Sequence, residues 1–334
     1  MDTVKRVLHA YGIYPEEIQE VTAQLYRVND GKHTYALKKS SLTVQTISQW
    51  EYVYKQANIL HLTAIVPVYL TVDGNLFMEL NEIYYYLSPW IDESNQAMTK
   101  PWLDNVLINL ATIHEKTKRT QSISTGNLKK SFTSYQSYCE QVKKDLLDIV
   151  IEFEKSRYMA PFELQVCTQY RDLEYALNES NKRIDQFIDS DDAEFLWNTS
   201  LCHRSLNHSH LPGSFIINWE RANYENAVND LVSFFHYEAS NFDGPTEKLI
   251  ELFPTYNDIY RLSKPEHQLL NIYLLDPTNY TNLVSNYFQK TTKYSMIHQV
   301  QSLQKEYRKL IFGLKWSAYI EKEFETISFE DLGS

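Results

Sequence analysis

Two stretches of this chain carry side chains that could do chemistry. Lys38 ends the run Tyr35-Ala36-Leu37-Lys38, and a lysine at the end of a strand is a compact positive charge able to hold phosphate oxygens. Glu51 lies on the following predicted helix, where it could pair with Lys38. Read without its surroundings, Lys38 is a surface lysine on a strand. The second stretch runs from Leu201-Cys202-His203-Arg204-Ser205-Leu206-Asn207-His208-Ser209-His210-Leu211 to Ile216-Ile217-Asn218-Trp219-Glu220-Arg221-Ala222. Its histidines crowd together, yet no Cys or His spacing fits a zinc site, because Cys202 and His203 are adjacent and cannot readily face one ion. Neighbours in an extended segment point to opposite faces, which also argues against a Cys-His nucleophile and for a buried structural Cys202.

The elements that would position these residues change character along the chain. Val21 to Val28, the turn Asn29-Asp30-Gly31-Lys32 and His33 to Lys39 read as a hairpin. From Thr46 to Leu62, apolar residues at Ile47, Trp50, Val53, Tyr54, Ala57 and Leu60 have helical spacing. Strands are predicted at 66–72, 76–80 and 83–89. In the last, Tyr84-Tyr85-Tyr86 should place Tyr85 on the face opposite its neighbours. From Trp102 the pattern is helical: 102–117, a long pair at 135–153 and 163–188, then 229–237, 246–253, 265–274, 280–288 and 293–324, with 201–219 irregular. A mixed lobe of residues 1–91 and a helical lobe of residues 92–334 make the expected α+β, two-lobed arrangement, with ligands expected in a cleft between lobes.

Composition sets outer limits. The 334 residues carry 32 Lys and Arg against 43 Asp and Glu, a formal net charge of -11, with 43% hydrophobic residues. That balance fits a folded chain and argues against nucleic acid or an anionic membrane surface as partner. No apolar run approaches the ~18 residues that would span a bilayer, and the N-terminus lacks a signal-peptide core, so synthesis in the cytoplasm is expected. Cys139, Cys167 and Cys202 suit a reducing compartment. Only 8 glycines occur where average usage would give roughly 23. The first hairpin, with Gln24-Leu25-Tyr26-Arg27, accordingly lacks the glycines that let backbone N–H groups approach phosphates. Tyrosine occurs 25 times.

Taken with Lys38, the helix carrying Glu51, the segment Tyr86-Leu87-Ser88-Pro89-Trp90-Ile91, the helix with Leu110-Ala111-x-x-His114 and Asn229-Asp230-Leu231, the 201–222 segment resembles the aminoglycoside phosphotransferase and choline kinase group, and within it the CotS family of bacterial spore coat proteins. The resemblance covers nearly the whole chain and implies a protein-kinase-like fold. It places Lys38 where kinases hold nucleotide phosphates. Active members read His-Gly-Asp-x-x-x-x-Asn and then Ile-Asp-Phe or Ile-Asp-Trp. Here His203 matches, but Arg204 replaces the glycine, Ser205 the catalytic aspartate, His210 the asparagine and Asn218 the metal-binding aspartate. Asp230 matches a mainly structural aspartate.

A serine is no general base at neutral pH, and losing one typically costs ~10²–10⁴ in rate. Asn218 offers a carbonyl oxygen without charge, and His210 a nitrogen where magnesium favours oxygen. The reading that follows is a non-catalytic, structural coat protein: not an enzyme, with no catalytic residues, no metal and no cofactor. Lys38, Glu51 and Arg204 remain as a vestigial nucleotide or anion site, and nucleotide binding is doubtful. The resemblance further implies other coat proteins as partners, deposition from the mother-cell cytoplasm into the spore coat, and tyrosines that could be cross-linked there. Two alternatives stand beside it. One is a small-molecule phosphotransferase with rearranged chemistry, using Lys38 and Glu220, which would share Asn218's face. The other is a nucleotide or anion sensor without turnover.

Overall fold

The computed structural model describes residues 2–91, 100–188, 194–213 and 215–325. The chain divides into two compact units, residues 1–119, 199–227 and 258–260 in one and 120–198, 228–257 and 261–334 in the other.

The first unit is built on a five-stranded antiparallel sheet. Its strands are β1 (Glu17–Thr22), β2 (Leu25–Asn29), β3 (Thr34–Lys39), β4 (Met78–Leu80) and β5 (Ile83–Pro89), in the order β1-β2-β3-β5-β4. Alternation along β3 decides what each face does. Tyr35 and Leu37 are buried, with Val28, Tyr85 and Leu87, against Val4, Val7 and Leu8 of helix α1 (Asp2–Ala10). Lys38 therefore faces the other way, directly across from Tyr86 of β5. On that second face Tyr86 and Tyr84 pack with aromatic residues. Tyr86 lies 4.9 Å from Trp50 of helix α2 (Ile47–Ile59), and Tyr84 lies 5.2 Å from Phe77. The expected alternation of the three tyrosines is thus present, Tyr85 in the α1 core and its neighbours opposite.

Helix α3 (Lys100–Thr117) buries Leu103, Val106, Leu107, Leu110 and Ala111 completely or nearly so, the face predicted from their spacing. Beyond it the unit takes in the end of a strand, β7 (Glu194–Cys202), whose Ser200, Leu201 and Cys202 pair with β8 (Asn223–Glu225). The segment between these strands is pinned by its backbone: the Ile216 amide donates to the Ala64 carbonyl at 2.7 Å, and Ile217 to His210 at 3.0 Å. Cys202 is buried, as expected, with its thiol 3.5 Å from the Glu225 and Asn226 carbonyls.

The second unit is mainly helical. It contains β6 from Thr120 onward (Arg119–Ser124), α4 (Thr125–Glu154), α5 (Pro161–Ile188), α6 (Val228–Ser240), most of α7 (Thr246–Ile259), α8 (Lys264–Leu274), α9 (Thr278–Phe288) and α10 (Met296–Ile320). Its core joins α4, α5, α9 and α10 through residues such as Leu146, Val150, Phe162, Leu173, Val284 and Leu303. A reciprocal Ser263–Glu266 capping box starts α8. Gly313 lets α10 pass the end of α8: a Cβ there would lie 2.6 Å from the Leu274 carbonyl oxygen. Among the described residues no helix is long and apolar enough to cross a membrane.

Several predicted elements differ from those observed. The single strand at 21–28 is two strands, because the chain reverses tightly between Thr22 and Leu25 and forms a hairpin ahead of the expected one. Residues 66–72 form no strand. Pro67 lacks a ladder donor, and the stretch makes only scattered bonds, such as the Tyr69 amide to the Leu87 carbonyl. Helix α1 and strands β6 and β7 were not predicted, and α4 begins ten residues before the expected Tyr135.

Candidate functional site

The candidate site lies wholly within the first unit and is assembled from β3, β5 and the 203–220 segment. It begins with His203, fully buried, whose Nε2 lies 2.8 Å from the Ile217 carbonyl while its Nδ1 accepts the Ser205 amide at 3.3 Å. Those two bonds fix His203 as the neutral tautomer carrying its proton on Nε2. Trp219, also buried, stands edge-on to His203 at 5.0 Å and donates its indole N–H to the Ile216 carbonyl at 3.0 Å. Together these contacts lock the two halves of the segment side by side.

Two residues in the segment adopt the left-handed backbone conformation, Arg204 at φ 66° and Asn218 at φ 67°. Asparagine tolerates it well; arginine does so at a cost of order 1 kcal/mol. The conformation explains why the resemblance puts a glycine at position 204. Asn218 begins a short turn, Trp219–Arg221, that carries Glu220 back toward the sheet.

A continuous hydrogen-bonded chain results. His210 Nδ1 lies 2.8 Å from the Ser205 carbonyl, which can only accept, so that nitrogen carries the proton and Nε2 holds a lone pair. The Asn218 side-chain amide donates to that lone pair at 2.8 Å and offers its oxygen to the Lys38 ammonium. Lys38 in turn lies 3.1 Å from Glu220 Oε1. Glu220 is nearly buried and has every oxygen occupied: Tyr86 O–H donates to Oε1 at 3.1 Å, and the Ser41 hydroxyl and amide donate to Oε2 at 2.6 and 3.2 Å.

Electrostatics follow from this geometry. Burial pushes the Glu220 carboxyl up, but the Lys38 charge and the Ser41 and Lys38 hydrogen bonds outweigh it and hold the group below its ordinary range. Glu220 is therefore a carboxylate at neutral pH. Burial, with the nearby His203 and Lys38, lowers His210 to about 4, so the imidazole is neutral. Tyr86 is pushed well up by burial and by Tyr54 and Glu220, and stays a donor.

Of the residues singled out from sequence, Lys38, Ser205, His210 and Asn218 are brought together, and Glu220 joins them. Glu51 is not: among the described residues Glu220, not Glu51, is the acidic partner of Lys38. Arg204 is turned to Glu225, 3.1 Å away, at the surface. His208 packs on Trp102 instead of joining the other histidines. Ser41 and Tyr86 were not foreseen as site residues. No local pattern marks Ser41, and Tyr86 is recognisable only through its register opposite Lys38.

The donor set suits a cation. An amide oxygen and a carboxylate oxygen converge on one positive centre, the Lys38 ammonium, as they would on a hard divalent ion.

No family model matches the sequence, and no curated protein matches it. Solved structures do. An aminoglycoside phosphotransferase from Alicyclobacillus acidocaldarius superposes with a TM-score of 0.69 over 95% of this chain and 96% of its own, at 14% identity. The chain has the aminoglycoside phosphotransferase fold. An AMP-bound spectinomycin phosphotransferase shares that fold at a TM-score of 0.57 and 15% identity, over 94% and 96% of the two chains. An amicoumacin kinase in complex with AMP-PNP, Ca2+ and Ami does so at 0.52 and 14%, over 92% of each.

These likenesses correct the expectation that the chain is not an enzyme. The three solved structures named above, which share the fold nearly end to end, are phosphotransferases and a kinase. That expectation rested on the substitutions at four motif positions, 204, 205, 210 and 218; the fold places a carboxylate, Glu220, beside Lys38.

Proposed function

We propose that this chain is a phosphotransferase that moves the terminal phosphoryl group of a nucleoside triphosphate to a hydroxyl of a small molecule. The observation carrying this reading is the Lys38 ammonium held between the Asn218 amide oxygen and the Glu220 carboxylate. Phosphoryl transfer demands positioning and charge neutralisation more than covalent help from the protein. Lys38 provides a cation for phosphate oxygens, on a strand whose buried face fixes its direction. Asn218 and Glu220 would hold a divalent ion, whose contribution when bound is to neutralise charge on the two outer phosphates.

Ser205 replaces the usual carboxylate, and its side chain has the reach of a hydrogen-bonding group without the basicity of a base. Its part is to orient the acceptor hydroxyl. The acceptor oxygen forms its bond to the terminal phosphorus as the bond to the bridging oxygen breaks. The nucleoside diphosphate leaves with that electron pair, and the acceptor proton passes to a phosphoryl oxygen or to water. Without a positioned base the rate should fall ~10²–10⁴ below that of a carboxylate-containing site.

The neighbours named above are an aminoglycoside phosphotransferase, a spectinomycin phosphotransferase and an amicoumacin kinase, and the AMP and AMP-PNP complexes of the last two support a nucleotide as donor here. The resemblance to the CotS family supports a place of action in the bacterial spore coat, with other coat proteins as partners. Quantifying the chain in purified coats tests that location separately. The activity is tested by incubating the protein with terminally labelled ATP and a panel of amino alcohols and aminoglycosides. Labelled acceptor formed by wild type and lost in Lys38→Ala supports the reading. ATP that binds and is never transferred counts against it.

A further inference from the structure

We propose that Arg27, held on Trp90, reads the base of the nucleotide and makes the site prefer guanine to adenine. The inference deepens the phosphotransferase reading, on which it rests for the presence of a nucleoside triphosphate. It comes from the register of the sheet that carries Lys38.

Strand pairing sets three residues in a row beside the Lys38 row. Arg27 of β2 lies opposite Ala36 of β3, and Ala36 lies opposite Ser88 of β5. Ala36 is two residues from Lys38, so it shares that face about 7 Å along the strand. Ala36 and Ser88 are small and partly exposed. Small side chains are what a flat ring needs beneath it, with its phosphates directed along the strand to Lys38.

Arg27 closes one end of this row. Its guanidinium carbon lies 5.2 Å from the centre of the Trp90 ring, a cation–π pair. Trp90 follows Ser88 by two residues and is tied to β3, its amide donating to the Thr34 carbonyl at 3.1 Å. The indole thus continues the alternation of Tyr86 and Ser88 on the Lys38 face. An arginine held by its face on an aromatic ring keeps its N–H donors along its edge, in a fixed fork. Arg27 is exposed, and the ring supplies the order that an exposed arginine otherwise lacks.

The chemistry of that fork selects the base. Guanine presents two acceptors side by side, O6 and N7, and arginine meets both at once, whereas adenine sets an N6 amino group beside N7 and so puts a donor against a donor. One bidentate pair of this kind discriminates by about five- to 150-fold. The exposure of Arg27 places it toward the lower end, with ATP a weaker ligand of the same site.

The test displaces a methylanthraniloyl-labelled GTP from the wild-type protein, with Mg2+ present and no acceptor, using GTP, ATP, inosine triphosphate and 7-deaza-GTP. GTP should compete at least about fivefold better than ATP. Inosine triphosphate, which keeps O6 and N7, should match GTP, and 7-deaza-GTP, which lacks N7, should fall toward ATP. Arg27→Met should bring GTP and ATP within about twofold of each other by weakening GTP, whereas loss of a merely attractive charge would weaken both alike.

ATP competing as well as GTP, inosine triphosphate behaving like ATP, 7-deaza-GTP matching GTP, or no binding of the labelled GTP would each overturn the proposal. The analogue series uses unmutated protein and so does not depend on a variant folding. Failure of the phosphotransferase reading has a different signature, the base preference intact but no acceptor phosphorylated by either triphosphate.

Discussion

Replacing Glu220 by glutamine probes whether the Lys38 contact is an energetic link or an incidental approach. The carboxylate accepts from two donors that cannot reverse their role, the Ser41 amide at Oε2 and the Lys38 ammonium at Oε1. Glutamine has one acceptor oxygen and one NH2, so in either orientation a donor meets a donor. The side chains are 7% exposed for Glu220 and 21% for Lys38, between the surface and the fully buried limits. At about 3 Å and an effective dielectric constant near 20 the raw attraction is about 5 kcal/mol, much of it offset by desolvating the carboxylate. The net pair should be worth about 1–3 kcal/mol, and Glu220→Gln should cost about 2–4 kcal/mol because it also mismatches one fixed donor.

The assay is urea denaturation of wild type, Glu220→Gln, Lys38→Met and the double variant. The expected coupling is at least about 1 kcal/mol, since removing both partners leaves no stranded charge. Single effects that add to within about 0.5 kcal/mol would refute the reasoning.

Further outcomes follow from the same physics. Glu238 is fully buried, neither of its carboxyl oxygens has a hydrogen-bond partner, and burial raises it to about 7. Its folded pKa lies above the unfolded value, so the folded state is favoured below about pH 4.5 and loses that advantage as pH rises through 7. Glu238→Gln should therefore flatten the decline in melting temperature between pH 5 and about 8, and a parallel decline in both proteins would contradict this.

Acid should act on the candidate site in the opposite sense. Glu220 is held below its ordinary value of 4.5 and His210 is lowered from 6.5 to about 4, so both bind protons more readily when unfolded. Stability should fall as pH drops from 6.5 through 4, and His210→Asn should remove the upper part of that limb in a pH series of thermal melts. Gly313→Ala should lower the melting temperature although alanine favours helix by about 1 kcal/mol. Its Cβ would meet the Leu274 backbone, and overpacking typically costs about 1–3 kcal/mol.

The sequence showed much of the frame and less of the site. Apolar spacing located α2 and α3, and the register of Tyr84 to Tyr86 was readable because a strand's period is fixed by geometry. Helix α1 carries the same signal, Val4, Val7 and Leu8, in too short a run to stand out. The break between β1 and β2 has no glycine or proline to mark it: Ala23 and Gln24 make the turn. Strand β7 went unassigned, and its last two residues fell in the stretch read as irregular, because its partner β8 lies more than twenty residues away.

In the site, Lys38 and the 201–222 segment were visible as chemistry. The partner of Lys38 was not settled by sequence, since Glu51 and Glu220 are both carboxylates, and only tertiary packing brings one of them within 3.1 Å. The His210–Asn218–Lys38 chain was hidden for a similar reason: it depends on two left-handed turns and on the proton that the Ser205 carbonyl holds on Nδ1. The changes at positions 204, 205, 210 and 218, read together, suggested lost function; in the structure 205, 210 and 218 join Lys38 and Glu220 in a single hydrogen-bonded network.

The most direct test of the account is phosphorus NMR of ATP incubated with the purified protein and a pool of small-molecule alcohols, with Mn2+ or Mg2+ added. Formation of a phosphate monoester together with ADP, abolished in Lys38→Ala and reduced in Glu220→Gln, is the outcome the account requires. Unchanged ATP with both ions across the pool, from protein shown by titration to bind the nucleotide, would contradict it.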